Sequence, residues 1–440
     1  MAYKNLNAVN IVNVINQQVN KQYGTTFPAI TKDNFSSMAD QLRYAAPNIV
    51  NAWQDELVNL VGMQLSANKR AFESYFRKLH LGETTTENIQ RLMMDLIAAR
   101  TFSPDADADS FFEDDKVDVG VQYMTSMVKT YFPVSINEDT LNASFVSQEA
   151  FMNYFLNVVD TQLYSSLEMF DTTTVKELIA QNVREGNFYL YPVAKVVDQA
   201  TALAFTAKLK GIAADMSVEY ANKYNLAGFN TWTPRDEGII ITDTDTEAVT
   251  ETYSLAWAFN KEFLSLQQGG QAITMANNSI LNGAVFALYG DRYAFQIRNK
   301  TGFPKTASQY FGNTLTLKRW LHYQALYAVS YFNNMVAFAD QSKISSSVTA
   351  TLATRSGNSG LNKGAKDQIY VSALTISDNG IFDKFGTYAI TGANSSDTVI
   401  DENSGKIVIG KDETATSITV TFTSHLDADV TATLQLTINS

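Results

Sequence analysis

The stretch at residues 284–340 restricts the fold more than any other. It reads AVFALYGDRYAFQIRNKTGFPKTASQYFGNTLTLKRWLHYQALYAVSYFNNMVAFAD. Within 314–329, Leu315, Leu317, Leu321, Tyr323, Tyr327 and Val329 share one parity, and Lys318, Trp320, His322 and Gln324 share the other. A period of two makes a ribbon with two different faces. This run far exceeds the common strand of about six residues, so other elements must support it along its length. A shorter alternating segment, 289–297 around Gly290, precedes it and is read as one strand. The turn Asn-Lys-Thr-Gly-Phe-Pro joins the two, and the chain leaves through Asn333-Asn334-Met335-Val336-Ala337-Phe338-Ala339.

A helix laid across the ribbon is the expected support. Residues 147–184 carry the strongest helical pattern. Phe151, Phe155, Val158, Val159, Leu163, Leu167 and Phe170 form one stripe, with Ser147 at the N-cap. Asp171-Thr172-Thr173-Thr174 is expected to break this helix, which resumes over 175–183. Core packing explains the stripe better than an aromatic binding groove does. Near the N-terminus, residues 10–19 suit a short helix. Residues 38–65 suit a longer one, with Leu42, Ala45, Ile49, Trp53, Leu57 and Leu60 on one face, a cap at Ser36 or Ser37, and a kink at Pro47. Residues 72–81 read as a strand ended by Gly82, and 87–100 as a helix. The acidic segment SPDADADSFFEDDKVD follows at 103–118, and 120–135 reads as a strand ending near Pro133. Two extended arms around a polar tip describe a protruding loop. Strand 186–195, helix 199–224 weakly interrupted at Gly211, loop 231–238, strand 238–242 and helix 251–263 then give a mixed α/β lobe. Residues 341–367 are rich in Ser, Thr, Gly and Asn and read as a linker. Residues 368–440 read as all-β. Ile418, Val420 and Phe422 form a hairpin with Leu434, Leu436 and Ile438, and earlier strands fall at 370–376, 387–391 and 406–409.

The composition excludes several kinds of chemistry. With no Cys and 3 His in 440 residues, thiolate catalysis and Cys-ligated metals are out. His80, His322 and His425 are far apart and read as structural. No G-x-S-x-G elbow or G-K-[ST] phosphate loop occurs, and Gly269-Gly270 is a turn. Asp105, Asp107 and Asp109 have the odd spacing of a calcium loop, but Ser110 replaces its Gly and Lys116 its Glu, so a solvated or neighbour-facing loop is the better reading. The acidic run at 242–247 is read the same way. Arg298, Lys300 and Lys305 make a small basic cluster, suited to ion pairs with acidic loops of another subunit rather than to phosphate. No catalytic, cofactor-binding or metal residue is expected, and no cofactor. A net charge of −12 argues against a surface that grips nucleic acid, though not against one that encloses it. Charged residues make up 18% of the chain, below the usual quarter or so, beside 26 Phe and 21 Tyr. That balance suits a chain that buries surface in subunit contacts. No apolar run approaches the roughly 20 residues of a membrane span. No secretory signal is read at the N-terminus, so assembly in a cytoplasm is expected.

The order of short strand, turn, long strand and terminal Ala337-Phe338 resembles the closing strands of tailed-phage major capsid proteins of the Hong Kong 97-type fold. More specifically, the first 340 residues resemble the major head proteins of short-tailed, phi-29-like phages. The run Ile240-Ile241-Thr242-Asp243-Thr244-Asp245-Thr246-Glu247-Ala248 followed by Leu255-Ala256-Trp257-Ala258-Phe259-Asn260 is similar to that group's pattern. So are Ala143-Ser144-Phe145-Val146-Ser147, preceded by Thr130 and Phe132, and the region from Phe286 to Arg298. Residues 368–440 resemble a bacterial Ig-like domain of the group-2 type. The N-terminal arm and the 103–118 tip depart from the group's pattern.

The resemblance implies an α+β capsid domain over 1–340: an N-arm (1–65), an extended loop (66–140), a spine helix region (141–185), an axial domain (186–290) and peripheral-domain strands (291–340). The linker and an Ig-like sandwich follow. It further implies a non-enzymatic protein that forms hexamers and pentamers of an icosahedral head around double-stranded DNA held without sequence specificity. A portal or connector and a scaffolding protein would be further partners. Its place would be the virion capsid, assembled in the bacterial host cytoplasm. The alternatives are a surface adhesin or decoration protein that binds host-surface glycans through the Ig-like domain, an enzyme with a carbohydrate-binding appendage, and a cargo shell.

Overall fold

A computed structural model describes residues 8–46, 48–50, 52–53, 56, 72–97, 117–137, 162–258, 271–311, 316–344, 348–376, 381 and 383–439. The 103–116 part of the acidic segment, most of the second N-terminal helix and the first half of the 147–184 stripe lie outside these residues.

The long ribbon is β11 (Thr316–Val329), 14 residues long. It lies in a five-stranded sheet with β1 (His80–Thr84), β4 (Met127–Asn137), β9 (Phe295–Lys300) and β10 (Lys305–Phe311). β4 runs antiparallel to it from Leu326↔Met127 to Thr316↔Asn137, while β10 and then β9 cover its other edge. One parity of β11 (Leu321, Tyr323, Ala325, Tyr327, Val329) is buried. It packs in one cluster with Leu163, Leu167, Val175 and Ile179 of α3 (Gln162–Arg184). The helix across the ribbon is therefore present. On the other parity, Lys318 is exposed and Trp320, His322 and Gln324 are half-buried.

The expected break at 171–174 is absent. The hydroxyls of Thr172, Thr173 and Thr174 donate to the carbonyls of Glu168, Met169 and Phe170 at 2.9, 2.9 and 2.8 Å, so these polar side chains are satisfied inside the helix.

Residues 289–297 are not one strand. β8 (Val285–Asp291) ends where the Asp291 carboxylate accepts from the Tyr293 amide at 2.8 Å, and after this turn β9 begins in the other sheet. The second sheet has the order β5 (Tyr189–Val193), β12 (Met335–Asp340), β8, β6 (Gly238–Asp243), β7 (Gln271–Met275). Gly290 allows β8 and β12 to meet, since a Cβ there would lie 2.4 Å from the Asn334 oxygen. α4 (Gln199–Val218) and α5 (Thr244–Ala258) flank this sheet, and Phe205, Phe286 and Phe338 interlock between helix and sheet. α4 runs through Gly211 without interruption and stops before 224. α5 begins at Thr244, so the acidic 242–247 run is a helix start. Asp243 accepts from the Thr246 amide at 2.8 Å, an N-cap rather than a metal loop.

The segment 72–81 is mostly not extended. The Ser74 hydroxyl accepts from Phe76 N and starts a short 3-10 helix, Tyr75–Leu79, that buries Phe76 and Leu79. β1 follows and passes through Gly82 (φ 109°) with a register shift, so Gly82 bends the strand rather than ending it. The helix expected over 87–100 is instead β2 (Ile89–Met94), paired antiparallel with β3 (Val119–Met124) from Ile89↔Met124 to Met94↔Val119. The 120–135 run is likewise two strands, β3 and β4. Pro133 sits inside β4, an edge strand, where a missing N–H is tolerated.

α1 (Ala8–Tyr23) forms as expected, while α2 (Ser37–Arg43) is short. Neither Ser36 nor Ser37 caps it: Ser36 makes no cap bond, and the Ser37 hydroxyl donates to the Asn34 carbonyl. Trp53 is buried against α1 and donates its Nε1–H to the Asn16 amide oxygen at 2.8 Å.

The range read as a linker carries strands. β13 (Val348–Thr354), β15 (Lys366–Ile376), β18 (Lys406–Val408) and β17 (Val399–Ile400) form one sheet. β14 (Gly360–Asn362), β20 (Thr431–Asn439), β19 (Ser417–Ser424) and β16 (Gly386–Thr391) form the other. Leu352 and Ile369 from the first sheet and Val420, Phe422 and Leu436 from the second share one core, so the two sheets make a sandwich.

Candidate assembly surfaces

The sequence named no catalytic, cofactor or metal residue, and among the described residues no group of three or more His, Cys, Asp or Glu comes together as a metal site. The three histidines are dispersed. His80 Nε2 lies 3.0 Å from Asp171 in the middle of α3. His322 is half-buried beside Tyr131, with ring centroids 6.0 Å apart. His425 belongs to the junction described below. The basic cluster does not act as a unit. Lys300 and Lys129 share the exposed carboxylate of Glu87 at 3.0 and 2.6 Å within the same chain, and their hydrogen bonds and charge hold that carboxyl below its usual range. Arg298 is half-buried and Lys305 exposed.

A candidate interaction surface that the residue patterns did not single out is one face of the β2–β3 hairpin. Opposed residues of an antiparallel pair share a face. The pairs Leu92↔Val121, Met94↔Val119 and Gln90↔Tyr123 are opposed, and all six side chains are exposed, Met94 at 65% and Tyr123 at 69%. Leu96, Ile97 and Val117 extend the exposed apolar set. Isolated surface apolar residues are ordinary, but a contiguous set of this kind marks an interaction surface. The helix expected over 87–100 concealed it, because helical spacing would have scattered these residues around the axis. The alternation of 119–123 was the available signal.

The opposite face holds the hairpin down. Gly120 packs so closely that a Cβ would sit 2.6 Å from Phe332 and 2.8 Å from Phe229. The Gln122 side-chain amide donates to the Val329 carbonyl at 2.9 Å and accepts from the Tyr331 amide at 3.1 Å. The Arg91 guanidinium donates to the Tyr293 carbonyl at 3.0 Å. One face is thus fixed to the body of the protein and the other is open.

The sandwich also meets the rest of the chain. The His425 ring stacks on Tyr189 with centroids 4.2 Å apart, and Phe385 approaches the same tyrosine edge-on at 5.4 Å. His425 Nε2 faces the Leu190 carbonyl and must donate to it, so Nδ1 accepts from the Tyr189 hydroxyl at 3.1 Å. That tautomer is neutral, in keeping with burial, which pushes the imidazole pKa down. Lys384 donates to the Asn187 amide oxygen at 3.1 Å, and Asn222 donates to Asp401 at 3.1 Å. A cleft of about 620 Å³ remains between the hairpin, residues 225–229 and the sandwich, with Tyr123 and Tyr370 at its walls.

Residues 12–339 match a family model described as Phi29-like phage major capsid protein. The major capsid protein of Bacillus phage GA-1 is 24% identical over 276 residues, covering 60% of this chain and 56% of that protein. The major capsid protein of Bacillus phage PZA is 21% identical over 256 residues, covering 57% of this chain and 56% of that protein. The chain therefore spans about half the length of the curated relatives it matches. Among solved structures, the capsid structure of Staphylococcus phage Andhra is similar in fold, with a TM-score of 0.50 at 12% identity over 62% of this chain and 85% of that one. The C-terminal sandwich lies beyond the matched residues. The match spans most of the sequence, and the chain belongs to the Phi29-like phage major capsid protein family.

Proposed function

We propose that copies of this chain self-assemble into the icosahedral head that encloses the phage double-stranded DNA, and that its place is the virion capsid. The observation that carries the reading is the open apolar face of β2–β3 on a chain of this family. Such a face costs solubility in a monomer and gains burial when a second copy covers it, at roughly 25 cal/mol per Å². The role is structural rather than catalytic. In this reading 1–65 is the N-arm, 66–140 the extended loop lying on a neighbouring subunit, α3 the described part of the spine helix, 186–290 the axial domain and 291–340 the peripheral strands. The sandwich, read as Ig-like, stands on the outer surface. Hexamers and pentamers form the shell, with a portal and a scaffolding protein as partners. The net charge of −12 fits a lining that encloses DNA without condensing it.

Electron microscopy of the purified chain, alone and co-expressed with the phage's scaffolding protein, tests this. Closed shells of uniform size are expected. The double variant Leu92→Asp with Val121→Lys should give soluble, folded chain with no shells and a nearly unchanged thermal midpoint, since the substituted side chains are exposed and opposite charges face each other across the strand pair. A monodisperse monomer from the unmodified chain under every condition would overturn the reading.

A further inference from the structure

We infer that Lys406 of the sandwich is a positioning residue for the β2–β3 hairpin, holding together the C-terminal end of β2 and the N-terminal end of β3. The inference rests on the proposed shell-forming function. Asp95 follows β2 and Asp118 precedes β3, and the Asp95 amide donates to the Asp118 carbonyl at 3.0 Å. Among the described residues these are the last paired positions of the β2–β3 ladder. Lys406 Nζ makes ion pairs with both carboxylates, that of Asp118 at 3.3 Å. The same ammonium lies 4.4 Å from the centroid of Phe229, the ring that Gly120 packs against from the hairpin side. Asp95 also accepts from the backbone and side-chain amides of Asn230 at 3.2 and 3.0 Å. Burial alone would raise the Asp95 carboxyl, but Lys406 and Asn230 outweigh it and hold the group ionised.

Lys406 is well placed for this role. It lies in β18, in register with Gln368 of β15, and its carbonyl accepts from Asp401 at 2.8 Å. The preceding turn is seated against the body of the protein: Ser404 fills the space where a Cβ on Gly228 would lie 2.5 Å away, and Asn403 donates to Asn222. The ammonium is thus held by a rigid sheet and reaches two aspartates on neighbouring strands. Like charges side by side across a strand pair repel. Lys406 neutralises that repulsion in a partly buried setting, where removing the ammonium would leave the two carboxylates without a counter-charge. The sandwich therefore sets how the hairpin end, and with it the apolar face, is presented.

The test is hydrogen exchange on the full-length unassembled chain, with Lys406→Met, which keeps the stem against Phe229, and Lys406→Arg. Exchange at the Asp95 amide, which donates to Asp118, should rise about tenfold in Lys406→Met. It should stay unchanged in β19 and β20, and return toward normal in Lys406→Arg or when Asp95→Asn and Asp118→Asn are added. Shells from Lys406→Met should be fewer or irregular in size. Unchanged hairpin exchange in Lys406→Met would overturn the inference, as would faster exchange with normal shells. If the unmodified chain forms no shells while hairpin exchange still responds to Lys406, the shell reading fails and the clamp on the hairpin stands.

Discussion

Burying a carboxylate in an apolar core is costly unless hydrogen bonds surround it. Asp171, in the middle of α3, accepts from the Tyr327 hydroxyl at 2.7 Å and from His80 at 3.0 Å. The Tyr323 hydroxyl meets that of Tyr327 at 3.1 Å and donates to Asn299 at 2.9 Å, which extends the network along the ribbon. Burial pushes the Asp171 carboxyl up, but the bonds from His80 and Tyr327 prevail and hold it below its ordinary value. A lowered carboxyl contributes stability above its unfolded pKa and loses it as pH falls through the folded one. Asp171→Asn is therefore expected to destabilise by about 2 kcal/mol at pH 7 and to weaken the acid limb of the stability profile. Denaturant melts at pH 7 and pH 4 would check both. From sequence, the run Asp171-Thr172-Thr173-Thr174 looked like a stop, because these residues compete for backbone hydrogen bonds. The partners that reverse that preference, Tyr327 and His80, lie 156 and 91 residues away in the chain.

At the scale of elements, period-two patterns were read well where one face is buried and the other wet. β11, β19 and β20 all fall where their alternation placed them. Fully buried β6 was also legible, as a short apolar-rich run. The reading failed where a segment suits either period and a distant strand decides. Residues 89–94 have good helix formers in Gln90, Arg91, Leu92 and Met93, yet they pair with 119–124. The 341–367 range failed differently: small Ser, Thr and Gly residues looked like a linker, but Leu352 and Leu361 enter the sandwich core. The fragment 345–440 should therefore unfold cooperatively by circular dichroism. The fragment 368–440, without β13 and β14, should not, because β15 would lose its partner over 369–376 and one sheet of the sandwich would be left incomplete. A sharp melt from the shorter fragment would show that the first strands are dispensable.

At the scale of the molecule, the sandwich is docked, and titratable groups sit at its foot. Asp383 is buried, accepts from the Phe385 amide at 3.1 Å and the Ser424 hydroxyl at 3.1 Å, and lies near Tyr189 and Tyr388; burial pushes its carboxyl up to about 7. A raised carboxyl binds more protons folded than unfolded, so its contribution is complete below the unfolded value near about 4 and is lost as pH rises through about 7. The buried His425 works in the opposite sense, since its lowered pKa makes the fold lose stability as pH falls through the usual imidazole range. Between about pH 4 and about pH 7 Asp383 therefore lowers stability as pH rises while His425 raises it toward the usual imidazole range, and Asp383→Asn should remove the falling part, so that the thermal midpoint climbs more steeply across that window. A scanning-calorimetry series on the two chains checks the sign: an equal slope in both would remove Asp383 as the cause.

Local pattern by itself determined the long ribbon with a helix across it and the all-β C-terminal part, and it offered no catalytic motif. Each follows from the spacing of apolar residues or from residue types that are simply missing. The tertiary structure decided which arm became the hairpin, that the hairpin leaves an apolar face open, that α3 runs unbroken and that the sandwich reaches back through Lys406 to Asp95. Those outcomes depend on hydrogen-bond and charge partners brought together from up to 311 residues apart. Periodicity reports only what neighbours along the chain have in common, so it carries no signal for them.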